Sequence, residues 1–256
     1  MSRLRPVRHD EKLSLVEHLD ELRSRLLVSV AALVPALVLC GWKNDLIIEI
    51  LNRPLPRGAA RPLTLSPTEP FLTTATLVVY AALLIALPVL LYQVYAFVLP
   101  AFSPGERRVA LPLMLLAPLL FVGGVLFAYF VVLPPAISFL LGFNADEFET
   151  ALRAREYYSF AALTLISLGL LFQVPIAVLA ATRLGVVTPD GLRRERRYAI
   201  LGIAVLAALL PTVDPVTMLL EMVPLIALYE LSILVASLFG RGPEGAGEPA
   251  APLESP

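Results

Sequence analysis

The sequence predicts an all-α integral membrane protein of six transmembrane helices, with both chain ends in the cytoplasm and the last two spans short. Three observations carry that expectation. The chain is 58% hydrophobic and 16% charged, with a mean hydropathy of +0.80, whereas a soluble domain carries about 25% charged residues. Its apolar residues gather in runs near 26–42, 72–100, 109–134, 158–182, 198–210 and 216–239, the first five uncharged and the last holding Glu221 and Glu230, most of them on the scale of a bilayer core. The basic residues alternate across the segments between these runs. Fourteen Lys and Arg fall on the side that holds the N-terminus and six on the other, which places the N-terminus inside.

Residues 1–25 form a cytoplasmic amphipathic lead-in with six basic residues, ending in His18-Leu19-Asp20-Glu21-Leu22-Arg23-Ser24-Arg25-Leu26. At helical spacing Leu15, Leu19, Leu22 and Leu26 share one face, the pattern of a helix lying on a surface. The first span follows directly, uncleaved because no small-residue cleavage site stands behind it. Residues 43–71 are too polar and proline-rich to cross and make an external loop, with a short amphipathic helix possible over 45–51.

The second span ends in the charged turn Ala101-Phe102-Ser103-Pro104-Gly105-Glu106-Arg107-Arg108. The third is expected to stop at Pro134-Pro135, and residues 136–157 are acidic and external. After the fourth span, residues 183–197 carry five arginines together with Thr188-Pro189-Asp190, where Thr188 can cap a helix whose first position is Pro189. The turn Pro211-Thr212-Val213-Asp214-Pro215 divides the last apolar region in two. The fifth span, 198–210, reaches roughly 20 Å against a core of about 30 Å, so either the bilayer thins there or the hairpin does not cross fully. Residues 240–256, rich in Gly, Pro, Ala and Glu, read as a disordered cytoplasmic tail.

Few residues offer chemistry. A single cysteine, Cys40, excludes a disulfide framework and a cysteine-rich metal site. The sequence has no His-Glu-x-x-His, Gly-x-Ser-x-Gly or Walker-type motif, and both histidines precede the first span. No catalytic residue, cofactor or metal is therefore expected, and nothing in the charge balance points to nucleic acid. Intramembrane polar groups are suspects by default, because an unpaired charge in hydrocarbon is costly. Glu230 lies deep in the last span, as a structural partner or a functional group. Glu221 reads as an interfacial carboxylate near the external end. Gln173 sits mid-span two residues before Pro175, whose ring frees backbone carbonyls. It either satisfies such groups or lines a polar cavity, and the cavity reading would suit a small-solute secondary transporter.

Taken in order, several stretches resemble the TatC family, the multispanning core subunit of the twin-arginine protein translocase. They are the run His18 to Leu26, then Ser66-Pro67-Thr68-Glu69-Pro70-Phe71, Tyr92-Gln93-Val94-Tyr95-Ala96-Phe97-Val98-Leu99-Pro100 and Glu106-Arg107-Arg108. Phe127-Ala128-Tyr129-Phe130, Phe172-Gln173-Val174-Pro175, Thr188-Pro189-Asp190-Gly191-Leu192-Arg193 and Leu228-Tyr229-Glu230 complete the series. The resemblance implies six spans in a prokaryotic inner membrane and recognition of signal peptides that carry paired arginines. It also implies export of their folded cargo, driven by the proton-motive force, together with TatA- and TatB-type single-span subunits. Membrane lipids and further copies of the chain complete the implied partners. By family position Glu21, Phe97 and Glu106 bind the signal peptide, Asp214 and Met218 belong to a partner-subunit face and external turn, and Pro54 and Phe71 shape an external cap. Two arginines present planar forks that carboxylates accept bidentately, so acidic acceptors suit that ligand. The chain departs from the pattern at Tyr95, where tryptophan is common, at Gln173, where glutamate is frequent, and at Met218, where a polar residue is usual.

Overall fold

A computed structural model describes residues 15–56, 61–99, 104–147, 151–183, 185–210 and 214–239, with the side chains of 15–17 and 104–114 outside the description. The expected tail at 240–256, most of the lead-in, and the Pro211 to Val213 part of the turn therefore lie outside the described residues. In chain order the elements are α1 (Leu15–Trp42), α2 (Asn44–Asn52), α3 (Glu69–Val98), α4 (Pro104–Phe127), a π-helical turn (Ala128–Val132), α5 (Leu133–Gly142), α6 (Ala154–Leu171), α7 (Val174–Arg183), α8 (Pro189–Arg194), α9 (Arg196–Leu209) and α10 (Pro215–Phe239). Among the described residues five helical stretches are long and apolar enough to cross a membrane: His18–Trp42, Glu69–Val98, Leu115–Gly142, Ala154–Arg183 and Pro215–Leu238. The expected fifth span is α9, which at 14 residues reaches about 21 Å and falls short of that criterion.

The first difference from expectation lies in α1. The charged run is not a separate surface helix but the start of one 28-residue helix, about 42 Å long. Its leucine stripe points away from the protein, with Leu19 63% and Leu26 62% exposed. The half-buried side chains are instead His18, Glu21, Arg25 and Ser29, at the i, i+3, i+7 spacing that shares one helix face. In a bilayer an apolar stripe gains little by packing on apolar neighbours, so polar groups that can bond one another take the protein-facing side. Further along, Ala36 and Cys40 meet Ala82 and Ala86 of α3, and these small residues let the two helices approach closely.

The third span continues past Pro134-Pro135 to Gly142. The reason is the π-helical turn: Leu133 N–H bonds back five residues to Ala128 O, and α5 then begins at Leu133 with Pro134 and Pro135 in its second and third positions. There the missing N–H groups would have no intrahelical partner in any case. The fourth span does break at the predicted place, with α6 ending at Leu171 and α7 starting at Val174. Thr188 caps α8 as its sequence suggests, its Oγ1 accepting the Gly191 N–H at 3.1 Å.

At the end of the bundle opposite the start of α1, three tyrosines clasp the last turn of α2. Tyr129 Oη donates to Ile50 O at 2.7 Å, Tyr157 Oη to Leu51 O, and Tyr158 Oη to Asn52 Oδ1 at 3.0 Å. A helix C-terminus has unsatisfied carbonyls; the Tyr129 and Tyr157 hydroxyls reach two of them from the third and fourth spans, and Tyr158 holds the Asn52 side chain. Tyr157 is buried at 3% exposure. Tyr157→Phe, which orphans the Leu51 carbonyl, is expected to cost about 1 to 2 kcal/mol and the more accessible Tyr129→Phe less, measured by thermal unfolding in detergent. Beside the clasp, Leu63 and Arg153 form an isolated parallel bridge through Leu63 N–H to Leu152 O and Ala154 N–H to Leu63 O, both 2.8 Å. Arg153 Nε donates to Glu69 Oε1 at 2.7 Å, and Glu69 Oε2 accepts the Leu65 N–H at 2.8 Å. The hydrogen bond that Arg153 donates to Glu69, with the Glu69 charge and Glu156 beyond it, holds the guanidinium above its ordinary pKa.

Candidate functional site

The polar face of α1 meets the last turns of α3 and builds a compact cluster at the end of the bundle where α1 starts. His18 stacks on Phe97 with ring centroids 4.3 Å apart and planes 19° from parallel. The His18 Nδ1 atom is 4.0 Å from Glu21 Oε2. The other carboxylate oxygen, Glu21 Oε1, accepts from Arg25 Nε at 3.0 Å and Arg25 Nη2 at 2.5 Å. Arg25 Nη1 reaches across to Gln93 Oε1 on α3 at 3.3 Å. Glu21 and Phe97, singled out separately in the sequence, are thus joined through His18. Sequence reasoning gave Arg25 a part only in the basic flank that sets topology, and gave His18 and Gln93 no role of their own. The signal was there in the i, i+3, i+7 spacing of His18, Glu21 and Arg25, but the leucine stripe led to the reading of a helix lying on a surface.

Glu106 lies in the first turn of α4, and its side chain falls outside the described residues. The segment between Val98 and Pro104 is short, so this turn stands at the same end of the bundle as Phe97. An acidic residue in a first turn also complements the helix dipole.

The intramembrane candidates divide differently. Gln173 is buried at 7% exposure and ties three helical segments together: its Nε2 donates to Ala117 O of α4 at 3.2 Å, and its Oε1 accepts from Tyr95 Oη of α3 at 3.4 Å. Its place in the α6–α7 break makes it a cross-helix tie. Glu230 does not lie deep in the protein. It is 46% exposed at the side chain and receives Arg196 Nη2 at 2.7 Å, because α9 starts level with it. The deep carboxyl is Glu221, fully buried on α10 together with Thr217 and Ser232. Asp214, at 7% exposure, accepts the Thr217 N–H on Oδ1 at 2.7 Å and caps α10. Met218 packs with Ile203 and Ala207 of α9. At the opposite end Pro54 is half-buried just after α2, whereas Phe71 is 76% exposed and points out of the cap. Among the described residues no group of three or more His, Cys, Asp or Glu side chains is arranged to hold a metal ion.

A family model described as Sec-independent protein translocase protein (TatC) matches residues 17–224. This chain belongs to the TatC family. A TatC of Magnetococcus marinus is 37% identical over 92% of this chain and 86% of its own length. The chloroplastic TATC of Arabidopsis thaliana is 37% identical over 91% of this chain and 68% of its own length. A crystal structure of the twin arginine translocase receptor TatC superposes with a TM-score of 0.76 at 37% identity, covering 88% of this chain and all of the other. As a TatC protein the chain is a Sec-independent translocase component rather than an enzyme, and a multi-pass protein of the prokaryotic inner membrane. A solute-transporter reading finds no footing, since the TatC match covers most of the chain and the side chains of Gln173 and Glu230 are engaged by neighbours.

Proposed function

We propose that this chain is the receptor and core subunit of a twin-arginine translocase, with Glu21, Phe97 and Glu106 as its signal-peptide site. The single observation that carries the site is the His18 bridge between Glu21 and Phe97, close to the turn that holds Glu106. Two carboxylates on different helices can each accept one guanidinium, and the aromatic pair gives the neighbouring residues of the peptide an apolar floor and a face for cation–π contact. All six spans cross, with α9 as a short fifth span and both termini cytoplasmic, as the distribution of basic residues favours. Residues 1–25 then form a cytoplasmic entry segment, 26–239 the membrane domain and 240–256 a tail. The hairpin of α9 and α10, with Asp214 and Met218, offers its outer face to TatA- and TatB-type single-span subunits. The assembled translocase uses the proton-motive force to export folded cargo.

The test is photocrosslinking of a twin-arginine signal peptide to the protein in membranes. Glu106→Lys replaces an attraction by a like-charge contact and should lower crosslinking roughly tenfold or more, with the protein still inserted and folded. Undiminished crosslinking in that variant would overturn the assignment of Glu106.

A further inference from the structure

We infer that a cavity between α2, α3 and α6 takes an acyl chain of a bilayer phospholipid as a standing part of the fold. The cavity has a volume of about 170 Å³, and no polar atom reaches its wall. Leu51, Leu77, Ala162 and Leu165 are buried and form its floor, while Ile50 and Ile85, 38% and 53% exposed, stand at its mouth. This goes beyond the receptor reading and needs only the membrane location, so either can fail without the other.

Position decides the occupant. Leu77 and Ile85 lie eight and sixteen residues past Glu69, the start of α3, so the cavity runs along that helix from about 12 to about 24 Å below its start. Tyr157, whose hydroxyl holds Leu51 O, precedes Ala162 on α6 by five residues, about 7.5 Å of helix. The clasped α2 therefore closes the cavity on the loop side, with Ile47, Ile50 and Leu51 turned toward it, and the open side faces hydrocarbon. Water finds no hydrogen-bond partner there; an apolar cavity of roughly 150 Å³ stays dry and accepts an apolar guest. A partner helix, about 10 Å across with its side chains, is too thick to enter. A chain of methylenes is thin and flexible enough to follow a slot along α3. Its gain is not removal from water, since it comes from hydrocarbon, but dispersion contact with a wall that otherwise forgoes it. The chain then braces the apolar side of α2 against α3 and α6.

The experiment places the full chain in lipid nanodiscs with a phospholipid that carries a photoactivatable diazirine on its acyl chain, and maps the adducts by mass spectrometry. Leu77 and Leu165 should be labelled although they are 2% and 6% exposed, whereas Phe121 and Leu179, each 1% exposed and away from the cavity, should not. Ala81→Leu, on the cavity wall, should lower floor labelling relative to Ile85 roughly tenfold, because the new side chain takes the place of the acyl chain while lipid still reaches the mouth. Ala162→Leu fills the same space from α6 and decides the matter if Ala81→Leu does not fold. Floor labelling no higher than that of Phe121, or unchanged in both filled variants, would overturn the inference. So would floor labelling by a photoprobe in the hydrophobic stretch of a bound signal peptide where the lipid probe gives none, which would assign the cavity to the peptide.

Discussion

A methyl group placed on Gly124 or Gly169 should force α4 away from α6 and cost about 1 to 3 kcal/mol in each case, while the same change at the adjacent Gly123 should not. A Cβ on Gly124 would lie 2.9 Å from the Leu168 backbone carbonyl and 2.7 Å from Phe172 Cγ. A Cβ on Gly169 would lie 2.6 Å from Phe121 Cε2 and 2.9 Å from Val125 Cγ2. The two glycines are reciprocal, each receiving bulk from the other helix. The obstruction at Gly124 includes backbone, which cannot rotate away, so Gly124→Ala should be the worse of the two. At Gly169 the obstructing ring belongs to Phe121, which is 1% exposed and has no free volume to enter. Gly123 has nothing within 4 Å of the added carbon, and there alanine should be neutral or stabilise by about 0.5 to 1 kcal/mol through helix propensity. Thermal unfolding of purified protein in one detergent checks all three, and a Gly124→Ala variant as stable as the wild type would refute the close-approach argument.

Arg153→Ala should disrupt the loop network opposite the start of α1 more severely than Glu69→Ala. Glu69 is 4% exposed, and without Arg153 its carboxylate keeps only the Leu65 N–H and its neighbouring backbone. Removing one partner of such a pair strands the other, which costs more than the pair was worth. In the reverse case Arg153 is 35% exposed at the side chain and retains Glu156 at 3.1 Å, so water and that second carboxylate soften the loss. The double replacement Glu69→Gln with Arg153→Gln removes both charges and should be milder than Arg153→Ala alone. Limited proteolysis between residues 53 and 68, run beside thermal melts, reads the order of severity. Equal protection in all three variants would show that the backbone bridge at Leu63 holds the loops without the ion pair.

Local signals were legible in the sequence and cross-helix ones were not. The apolar runs announced the five long helical stretches because length and polarity alone define them. The Thr188-Pro189 start and the α6–α7 break near Pro175 were legible because proline acts within one turn. The continuation through Pro134-Pro135 was hidden, since a π-helical turn leaves no compositional mark that would set it apart from a stop. Glu221 and Glu230 were read for depth along the span, and their burial within the protein was hidden for a related reason. Depth along a span does not report which face points inward. Here the inward face of α10 carries Thr217, Glu221 and Ser232, and the i, i+4 spacing of Thr217 and Glu221 was the available clue. The same blindness to facing left the protein-facing side of α1 unassigned. Glu21, Phe97 and Glu106 were reached through family resemblance, whereas the bond from Arg25 to Gln93 came only from the packing of α1 on α3.

The tyrosine clasp has a consequence for biogenesis. The Tyr157 and Tyr158 hydroxyls lie 106 residues downstream of the groups they satisfy at the end of α2. At synthesis rates of about 5 to 20 residues per second the first loop waits roughly 5 to 20 s for those hydroxyls to leave the ribosome. During that interval the Leu51 carbonyl, the Asn52 side chain and the Glu69 carboxylate lack the partners that Tyr157, Tyr158 and Arg153 bring. Insertion of the fourth span is therefore the step that locks the far side of the molecule, and a nascent chain truncated before Tyr157 should expose that loop to protease while its first three spans are already in the membrane.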